Sequence, residues 1–495
     1  MARTNQLKST EPKESAEQLV EIILTDAIEA AAMPFGPWRA LNPNLLVPMV
    51  IRGRSGYEYR VTRVGVDAMH RLTDQEWRAR DAVRQTIARS EFDKISFQAM
   101  GDAILDRRTH IPDDAVDQSA EATEDFFKSM TADYRRKLED YVDAVRRTTD
   151  RHIQCNLFHA DQNVPSFKVG PVEFLPRAGW LKRYIRSDAA LEHVRSVQDG
   201  RTTYEELRTH ALAAGSDQDL RTAWQVLSSL NGFGWVATVR MEGHELAQSH
   251  HKASILVGLA IDAIGLRFQV EDARRFTKAG RQHLFSEERL ATSTDGKFLA
   301  GWSVQMPGLG SAPGALAAKM AAERAFLDAA GKVLQAYAVG RQTGRAPHLV
   351  ERWANALYWV GEARREASDF MAVVNYGCAA DGLSGAGGEA TNMMRFAEAA
   401  LNPKGKPIPA GSLSIAGAVN RVYREGRNKL AHGETVGLLE DHAEIRSIGD
   451  SLLTNLLDVV TVELAAVIDD PSSKILVVRE DHAYRAFEAK LKARA

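Results

Sequence analysis

Apolar residues along most of the chain recur every three to four positions, the spacing that predicts amphipathic helices. The first such segment, AEQLVEIILTDAIEAAA at residues 16–32, places four apolar residues on one face: Leu19, Ile22, Ile23 and Ile28. A long charged helix is predicted over residues 117–152, and helix again over residues 203–274. An Ala-rich helix follows and ends at Gly340, because glycine accepts the left-handed conformation that terminates many helices.

Short strands interrupt this helical pattern within the first 345 residues. Residues 49–66 mix Val, Ile and Tyr with Gly and predict a hairpin, and a strand-rich segment begins near Cys155. Residues 288–308 predict a second hairpin, with its turn at Asp295 and Gly296. The sequence therefore predicts a mixed α+β N-terminal region.

The helical pattern after residue 345 contains no strand signal. The segment RQTGRAP at 341–347 predicts a linker, because Gly and Pro break a helix there. Beyond it, amphipathic helices begin in turn with HLVERW, ASDFMA, ATNMMR and SLSIAG, and a last long helix covers about 440–468. Helices of this length joined by modest loops predict an all-α bundle of four or five helices.

These patterns predict a multidomain chain, in line with a length of 495 residues at about 100–200 residues per domain. The predicted segments are a mobile tail at 1–15, a mainly helical region at 16–155, an α+β region at 156–345 suited to a sensor or regulatory role, a helical bundle at 346–470 and a C-terminal extension at 471–495.

Charge and cysteine content narrow the classes of partner. Lys and Arg total 63 against 65 Asp and Glu, so any contact with nucleic acid must be local. Cys155 and Cys378 lie far apart with no second cysteine nearby, which argues against a disulfide framework and a zinc site. The most apolar run, at 253–266, is too short to span a bilayer and contains Asp262. We therefore expect a soluble, cytoplasmic protein without membrane contact, metal or other cofactor.

One short motif, REGRNKLAHGE at 424–434, combines an arginine and a histidine near the end of a predicted helix. The spacing alone is weak evidence, since Arg146 with His152 and Arg341 with His348 show similar spacing. The context of the motif distinguishes it: Asn428 follows the arginine, a glycine follows the histidine, and a long apolar-faced helix stands on each side.

With these flanking helices, YREGRNKLAHGE resembles the signature of the HEPN domain, and more narrowly of the Apea-like HEPN group. The resemblance covers about residues 346–470. It implies a four- or five-helix bundle that forms a homodimer, metal-independent endoribonuclease activity, and a setting in anti-phage defence or toxin action. It also implies that Arg427, Asn428 and His432 form the catalytic motif.

The chemistry of these residue types agrees with that implication. RNA cleavage without a metal needs a base, an acid and a cation for the charge on the phosphate, and His and Arg supply these by pKa and by fork geometry. At about 100° per residue, Asn428 and His432 share a face, with Glu425 and Arg424 close to the same line as supporting residues. Arg427 lies about 140° from His432 on such a helix, which favours a composite site built by two subunits.

Asp381 is the remaining candidate, because it lies near the C-terminal end of its predicted helix, where the helix dipole disfavours an anion. The resemblance implies that an acid at this helix end pairs with the motif arginine, here Arg427. The alternative interpretation is that Asp381 points outward and begins the DGLSG turn.

Two functional hypotheses follow. The first is a regulated HEPN endoribonuclease that cuts RNA and is restrained or directed by residues 1–345, with a phage-derived activator or a cognate inhibitor as a further partner. The second is a non-catalytic bundle that only dimerises or docks a partner. In that case the basic last turn of the motif helix complements the helix dipole.

Overall fold

The computed structural model describes residues 14–33, 50–107, 120–281, 286–340, 345–402, 413–431, 441–473 and 480–494. Contacts divide the chain into two compact units, Met1–Thr149 with Met241–His250, and Asp150–Arg240 with His251–Ala495. Most of the predicted tail and linker lies outside the described residues, and the bounds of the five predicted segments stay predictions.

The first unit is mainly helical and contains one short hairpin. Its elements are α1 (Ala16–Ala32), β1 (Val50–Arg52), β2 (Glu58–Arg60), α2 (Arg63–Ala79), α3 (Asp81–Thr86), α4 (Arg89–Arg107) and α5 (Ala120–Val145). The predicted bounds of α1 are confirmed, and Ser15 caps it by accepting from the N–H of Gln18 at 3.2 Å. Leu19 and Ile23 are fully buried as predicted, whereas Ile28 is 47% exposed and does not belong to the apolar face.

The second unit is built on a five-stranded sheet with the order β4-β5-β6-β3-β7. The strands are β3 (Arg147–Asn156), β4 (Phe167–Val169), β5 (Val172–Pro176), β6 (Trp235–His244) and β7 (Thr277–Lys278). Antiparallel pairing is observed between β4 and β5, β5 and β6, and β3 and β7. The prediction of helix throughout 203–274 is therefore wrong at β6, a strand buried on both faces over most of its length.

Six helices lie between or directly after the strands of this sheet in the sequence. They are α6 (Arg177–Tyr184), α7 (Asp188–Gln198), α8 (Tyr204–Leu212), α9 (Gln218–Ser229), α10 (Leu246–Gly265) and α11 (Val270–Ala273). The second predicted hairpin is confirmed as β8 (Ser286–Thr292) and β9 (Phe298–Val304), with Gly296 in the left-handed region at its turn. The Ala-rich helix is two helices, α12 (Ala315–Ala322) and α13 (Arg324–Val339), and it ends at Gly340 as predicted.

His152, on β3, is half-buried among aromatic side chains. Trp180 Nε1 donates to His152 Nδ1 at 3.1 Å, and Thr238 Oγ1 lies 3.0 Å from the same nitrogen. An indole N–H can only donate, so Nδ1 is the acceptor and Nε2 carries the proton of the neutral ring. Burial lowers the pKa of His152 below its usual value.

The C-terminal part of the second unit is helical, as predicted. Its elements are α14 (Pro347–Arg365), α15 (Asp369–Ser384), α16 (Ala390–Leu401), α17 (Ile415–Val419), a π-helical segment (Asn420–Asn428), α18 (Lys429–Ala431), α19 (Ala443–Asp469) and α20 (Glu480–Ala493). The helices α13, α14, α15 and the π-helical segment all pack against α19, which is the central helix of the bundle.

Buried ion pairs join this bundle to α10. Arg364 makes a bidentate pair with Asp450 at 2.7 and 3.1 Å and also donates to the carbonyl of Gly265 at 2.6 Å. Arg365 pairs with Asp262 at 2.7 Å, and both side chains are almost completely buried. The bundle and α10 therefore belong to one packed unit, which agrees with the contact division.

In the part of the chain that the structure describes, α19 alone has the length and mean hydropathy, 1.7, that a membrane-spanning helix needs. Half of its most apolar window is buried inside the bundle. The buried residues Leu453, Leu457 and Leu464 lie on the face that contacts neighbouring helices. This burial fits a helix that packs at the centre of the bundle.

Candidate functional site

The motif lies in a helix whose geometry changes along its length. The helix begins after Ser414, whose Oγ accepts from the N–H of Gly417 at 3.0 Å. From Asn420 to Asn428 it is π-helical, with hydrogen bonds that span five residues instead of four. Such a helix turns through roughly 80–90° per residue, so side chains four and five positions apart line up. The assumption of an α-helix throughout does not hold over residues 420–428, and the predicted angles to His432, which lies outside the described residues, stay a prediction.

Two glycines allow this segment to approach α15 closely. A Cβ built on Gly377 would lie 2.4 Å from the Cβ and 2.7 Å from the Cγ of Arg427. A Cβ built on Gly426 would lie 2.5 Å from a methyl group of Val373. Each distance is shorter than side-chain atoms tolerate, so both positions need glycine. The stem of Arg427 consequently lies directly against the backbone of α15.

The guanidinium of Arg427 is half-buried and held by neighbours on its own helix. Nη1 donates to Asn428 Oδ1 at 2.9 Å and makes a long hydrogen bond of 3.4 Å to the hydroxyl of Tyr423. The guanidinium carbon lies 5.3 Å from the centre of the Tyr423 ring. Nε is buried and has no hydrogen-bond partner among the described residues.

Asp381 lies in the last turn of α15, as the sequence predicted. Its Oδ1 accepts from the N–H of Gly388 at 2.9 Å, and its carbonyl accepts from the N–H of Gly385 at 3.0 Å. Among the described residues it forms no ion pair with Arg427, so the predicted pairing is not observed. The side chain instead fixes the turn at 385–388; the alternative turn starting at Asp381 is not observed either, because the helix continues to Ser384.

Tyr423 connects these two parts of the site. It is 1% exposed, and its hydroxyl lies 3.6 Å from the position that a Cβ on Gly388 would occupy. Burial raises the pKa of Tyr423, the Asp381 carboxylate raises it further, and the Arg427 cation lowers it. The phenol therefore stays protonated at neutral pH, and its oxygen accepts the hydrogen bond from Arg427.

The remaining predicted residues occupy different surroundings. Glu425 is exposed and pairs with Arg421 at 2.6 Å, and Arg421 also reaches Glu444 at 3.0 Å. Arg424 is exposed. His432 lies outside the described residues. The structure thus brings Arg427 and Asn428 into contact and places Glu425 in a separate ion-pair group.

Sequence reasoning missed three contributors to this site: Tyr423, Gly377 and Gly388. Tyr423 lies on the buried, apolar side of the helix, but its hydroxyl meets the arginine four residues later. That pair carries a signal, because Tyr and Arg four positions apart on a helix face each other. The two glycines carry none, since their importance comes from residues that are distant in the chain.

Within the described residues, no group of three or more His, Cys, Asp and Glu side chains is arranged to hold a metal ion. Comparison of the chain with known protein families, curated proteins and solved structures finds no match. The assignment to the HEPN group therefore stays a prediction that rests on the motif and its flanking helices.

Proposed function

We propose that the protein is a metal-independent endoribonuclease of HEPN type, with Arg427, Asn428 and His432 as its catalytic residues. The observation that supports this most directly is the state of Arg427. Its guanidinium is oriented by Asn428 and Tyr423 and is not neutralised by a carboxylate among the described residues. A positioned guanidinium without a carboxylate partner is suited to a phosphate oxygen.

The reaction in this proposal is an internal transfer at phosphorus. The 2′-oxygen of the ribose attacks the adjacent phosphorus while the bond to the 5′-oxygen breaks, giving a 2′,3′-cyclic phosphate and a 5′-hydroxyl. His432 takes the proton from the 2′-OH, and His432 of a second copy protonates the leaving oxygen. Arg427 stabilises the charge that builds on the phosphate, and Asn428 holds the guanidinium in position.

The same proposal assigns roles to the rest of the chain. Two copies of the bundle form the active homodimer, since one histidine per subunit then supplies both the acid and the base. A nuclease of this kind must be restrained in its host, so we assign residues 1–345 a sensing or inhibitory role in a cytoplasmic toxin or anti-phage effector. The activator would be a phage component, and release from a cognate inhibitor would have the same effect.

Purified protein tests the proposal through RNA cleavage in EDTA. We expect wild type to cleave, and His432→Ala and Arg427→Ala to lose at least 100-fold in rate, on the order of one lost catalytic group. Arg427→Lys keeps the charge but not the fork, and we expect it to recover only part of the activity. Matched controls are His251→Ala and Arg324→Ala, which remove the same groups from exposed positions outside the motif.

The competing hypothesis is the non-catalytic scaffold, in which the contacts of Arg427 with Tyr423 and Asn428 only stabilise the helix. It expects no cleavage by any variant, no growth defect on overexpression, and a lower melting temperature for Arg427→Ala. Chelation-resistant cleavage that persists in both motif variants would also contradict our assignment, because it would come from a different site.

A further inference from the structure

An open groove of about 400 Å³ lies between α16 and α20. The residues that line it are Asn392, Arg395, Arg485, Glu488, Ala489 and Lys492. The four lining residues from α20 lie three, four and seven positions along from the first of them, so they form a single stripe along that helix. The groove is thus a continuous surface with one wall from each helix.

The groove carries an excess of positive charge. Three cations and one acid line it, whereas the whole chain has a net charge of −2. The carboxylate of Glu488 accepts from Arg395 Nε at 3.0 Å and from Lys492 Nζ at 2.8 Å, so one carboxylate is shared by two cations. The side chains of Arg395 and Lys492 are 55% and 53% exposed. Exposed cations that share one acid leave a local field that attracts an anion.

Both helices that form the groove are anchored near Asp381, at the C-terminal end of α15. The helix α16 begins two residues after Gly388, whose N–H binds Asp381, and Arg395 lies about 8 Å further along it at 1.5 Å per residue. On α20, the hydroxyl of Tyr484 donates to the carbonyl of Leu383 in the last turn of α15 at 2.9 Å. The guanidinium of Arg352 stacks on the Tyr484 ring at 4.2 Å. The groove therefore leads away from the candidate catalytic site.

We propose that this groove binds the phosphate backbone of substrate RNA beside the scissile bond, an inference that rests on the proposed nuclease function. Arg395, Arg485 and Lys492 contact successive phosphates, with Glu488 holding two of them in place. Among the residues that the structure describes, no aromatic side chain lines the groove, so these residues provide no surface on which bases could stack. Contacts to phosphate alone position RNA without reading its sequence, and the groove therefore contributes affinity and not sequence preference.

The test measures binding separately from cleavage. The full chain with His432→Ala is titrated against a fluorescently labelled single-stranded RNA in EDTA, and the dissociation constant is obtained from anisotropy at several salt concentrations. The groove variant adds Arg485→Ala and Lys492→Ala, which leaves the Arg395–Glu488 pair intact. The matched control adds Arg324→Ala and Lys332→Ala instead, which removes two exposed cations, each paired with one acid, from α13.

We expect the groove variant to bind RNA about tenfold more weakly and to reduce the slope of log affinity against log salt by about 1 to 2, at roughly 0.7 per lost phosphate contact. The control should change the dissociation constant less than twofold. Equal weakening in both variants would overturn the proposal, because the effect would then be one of general charge. No RNA binding by the His432→Ala parent, or no change in the groove variant, would overturn it as well.

Cleavage assays of the same groove and control substitutions in the wild-type background distinguish this proposal from the nuclease assignment. A groove variant with raised KM and unchanged kcat supports the groove. If the groove variant kept full activity at low RNA concentration, the groove proposal would be overturned, and the nuclease assignment would be unaffected. Specific RNA binding that depends on the groove, together with no cleavage by wild type, would support the groove as an RNA surface and contradict the nuclease assignment.

Discussion

Replacement of Gly377 by alanine tests the close approach of α15 to the π-helical segment. In an ordinary helix interior, Gly→Ala stabilises by about 1 kcal/mol, because alanine loses less backbone entropy. At Gly377, however, the added Cβ would lie 2.4 Å from the Cβ of Arg427, an atom that cannot move without its backbone. Overpacking of this kind costs about 1–3 kcal/mol. The net effect is therefore a destabilisation of about 0–2 kcal/mol.

The same helix offers a matched control at Gly382. A Cβ built there meets no atom of the described residues within 4 Å, and the residue lies inside α15. Gly382→Ala should therefore stabilise by about 0.5–1 kcal/mol. The two chemically identical substitutions should differ by about 1–3 kcal/mol, with alanine favourable at 382 and neutral or unfavourable at 377.

Thermal unfolding followed by circular dichroism or dye fluorescence measures the difference. At roughly 2.1 cal/mol/K of unfolding entropy per residue, one kcal/mol corresponds to about 1.5 °C in Tm for a unit as large as the second one, so the variants should separate by about 1.5–4.5 °C. In the nuclease proposal, Gly377→Ala also displaces Arg427 and should abolish RNA cleavage in a folded protein. If Gly377→Ala raised the Tm as much as Gly382→Ala, the contact between α15 and Arg427 would not exist in solution, and the structural description of the site would be wrong.

Three further substitutions test other parts of the second unit. Tyr423→Phe removes the hydroxyl that accepts from Arg427; we expect less than about 1 kcal/mol of stability loss, because that hydrogen bond is long, but a lower cleavage rate in the EDTA assay. Asp450→Asn leaves the buried Arg364 without its bidentate partner and should lower the free energy of unfolding by about 3–5 kcal/mol in denaturant titration; a change below 1 kcal/mol would contradict the buried pair. The pKa of His152 is lowered in the folded state by burial, so the unfolded chain binds more protons and stability falls as pH drops below about 6.5. The loss is at most about 1.4 kcal/mol per pH unit, and it should be smaller in His152→Asn, whose side-chain oxygen replaces the acceptor; identical Tm–pH curves would refute it.

The strand β6 shows why part of the fold could not be predicted from sequence. Its residues from Trp235 to Val239 are all buried, and so is Met241, so the segment lacks the alternation of apolar and polar residues that marks a half-exposed strand. A short apolar run of this kind is compatible with a buried helix or a buried strand. The hairpins were predictable because their turns carry Gly at a position that needs the left-handed conformation, as Gly296 does.

The motif helix was predictable as a helix but not as a π-helix. Its apolar spacing and its serine start are local features of the sequence. The wider turn from 420 to 428 accompanies contacts with α15, where Gly426 meets Val373 and Gly377 meets Arg427. These partners are about 50 positions apart in the chain, and no local rule connects them. The residue types of the candidate site can therefore be read from the local sequence. Their arrangement depends on contacts between segments that are distant in the chain.

The behaviour of Asp381 has a consequence for Arg427. An acid in the last turn of a helix opposes the helix dipole, and the resemblance to the HEPN group implied Arg427 as its partner. The structure supplies a different partner, the backbone N–H of Gly388, which stabilises the carboxylate without using a side-chain cation. Arg427 is then left without a carboxylate partner among the described residues. In the proposed nuclease, Asp381 therefore does not compete with a phosphate for the guanidinium of Arg427.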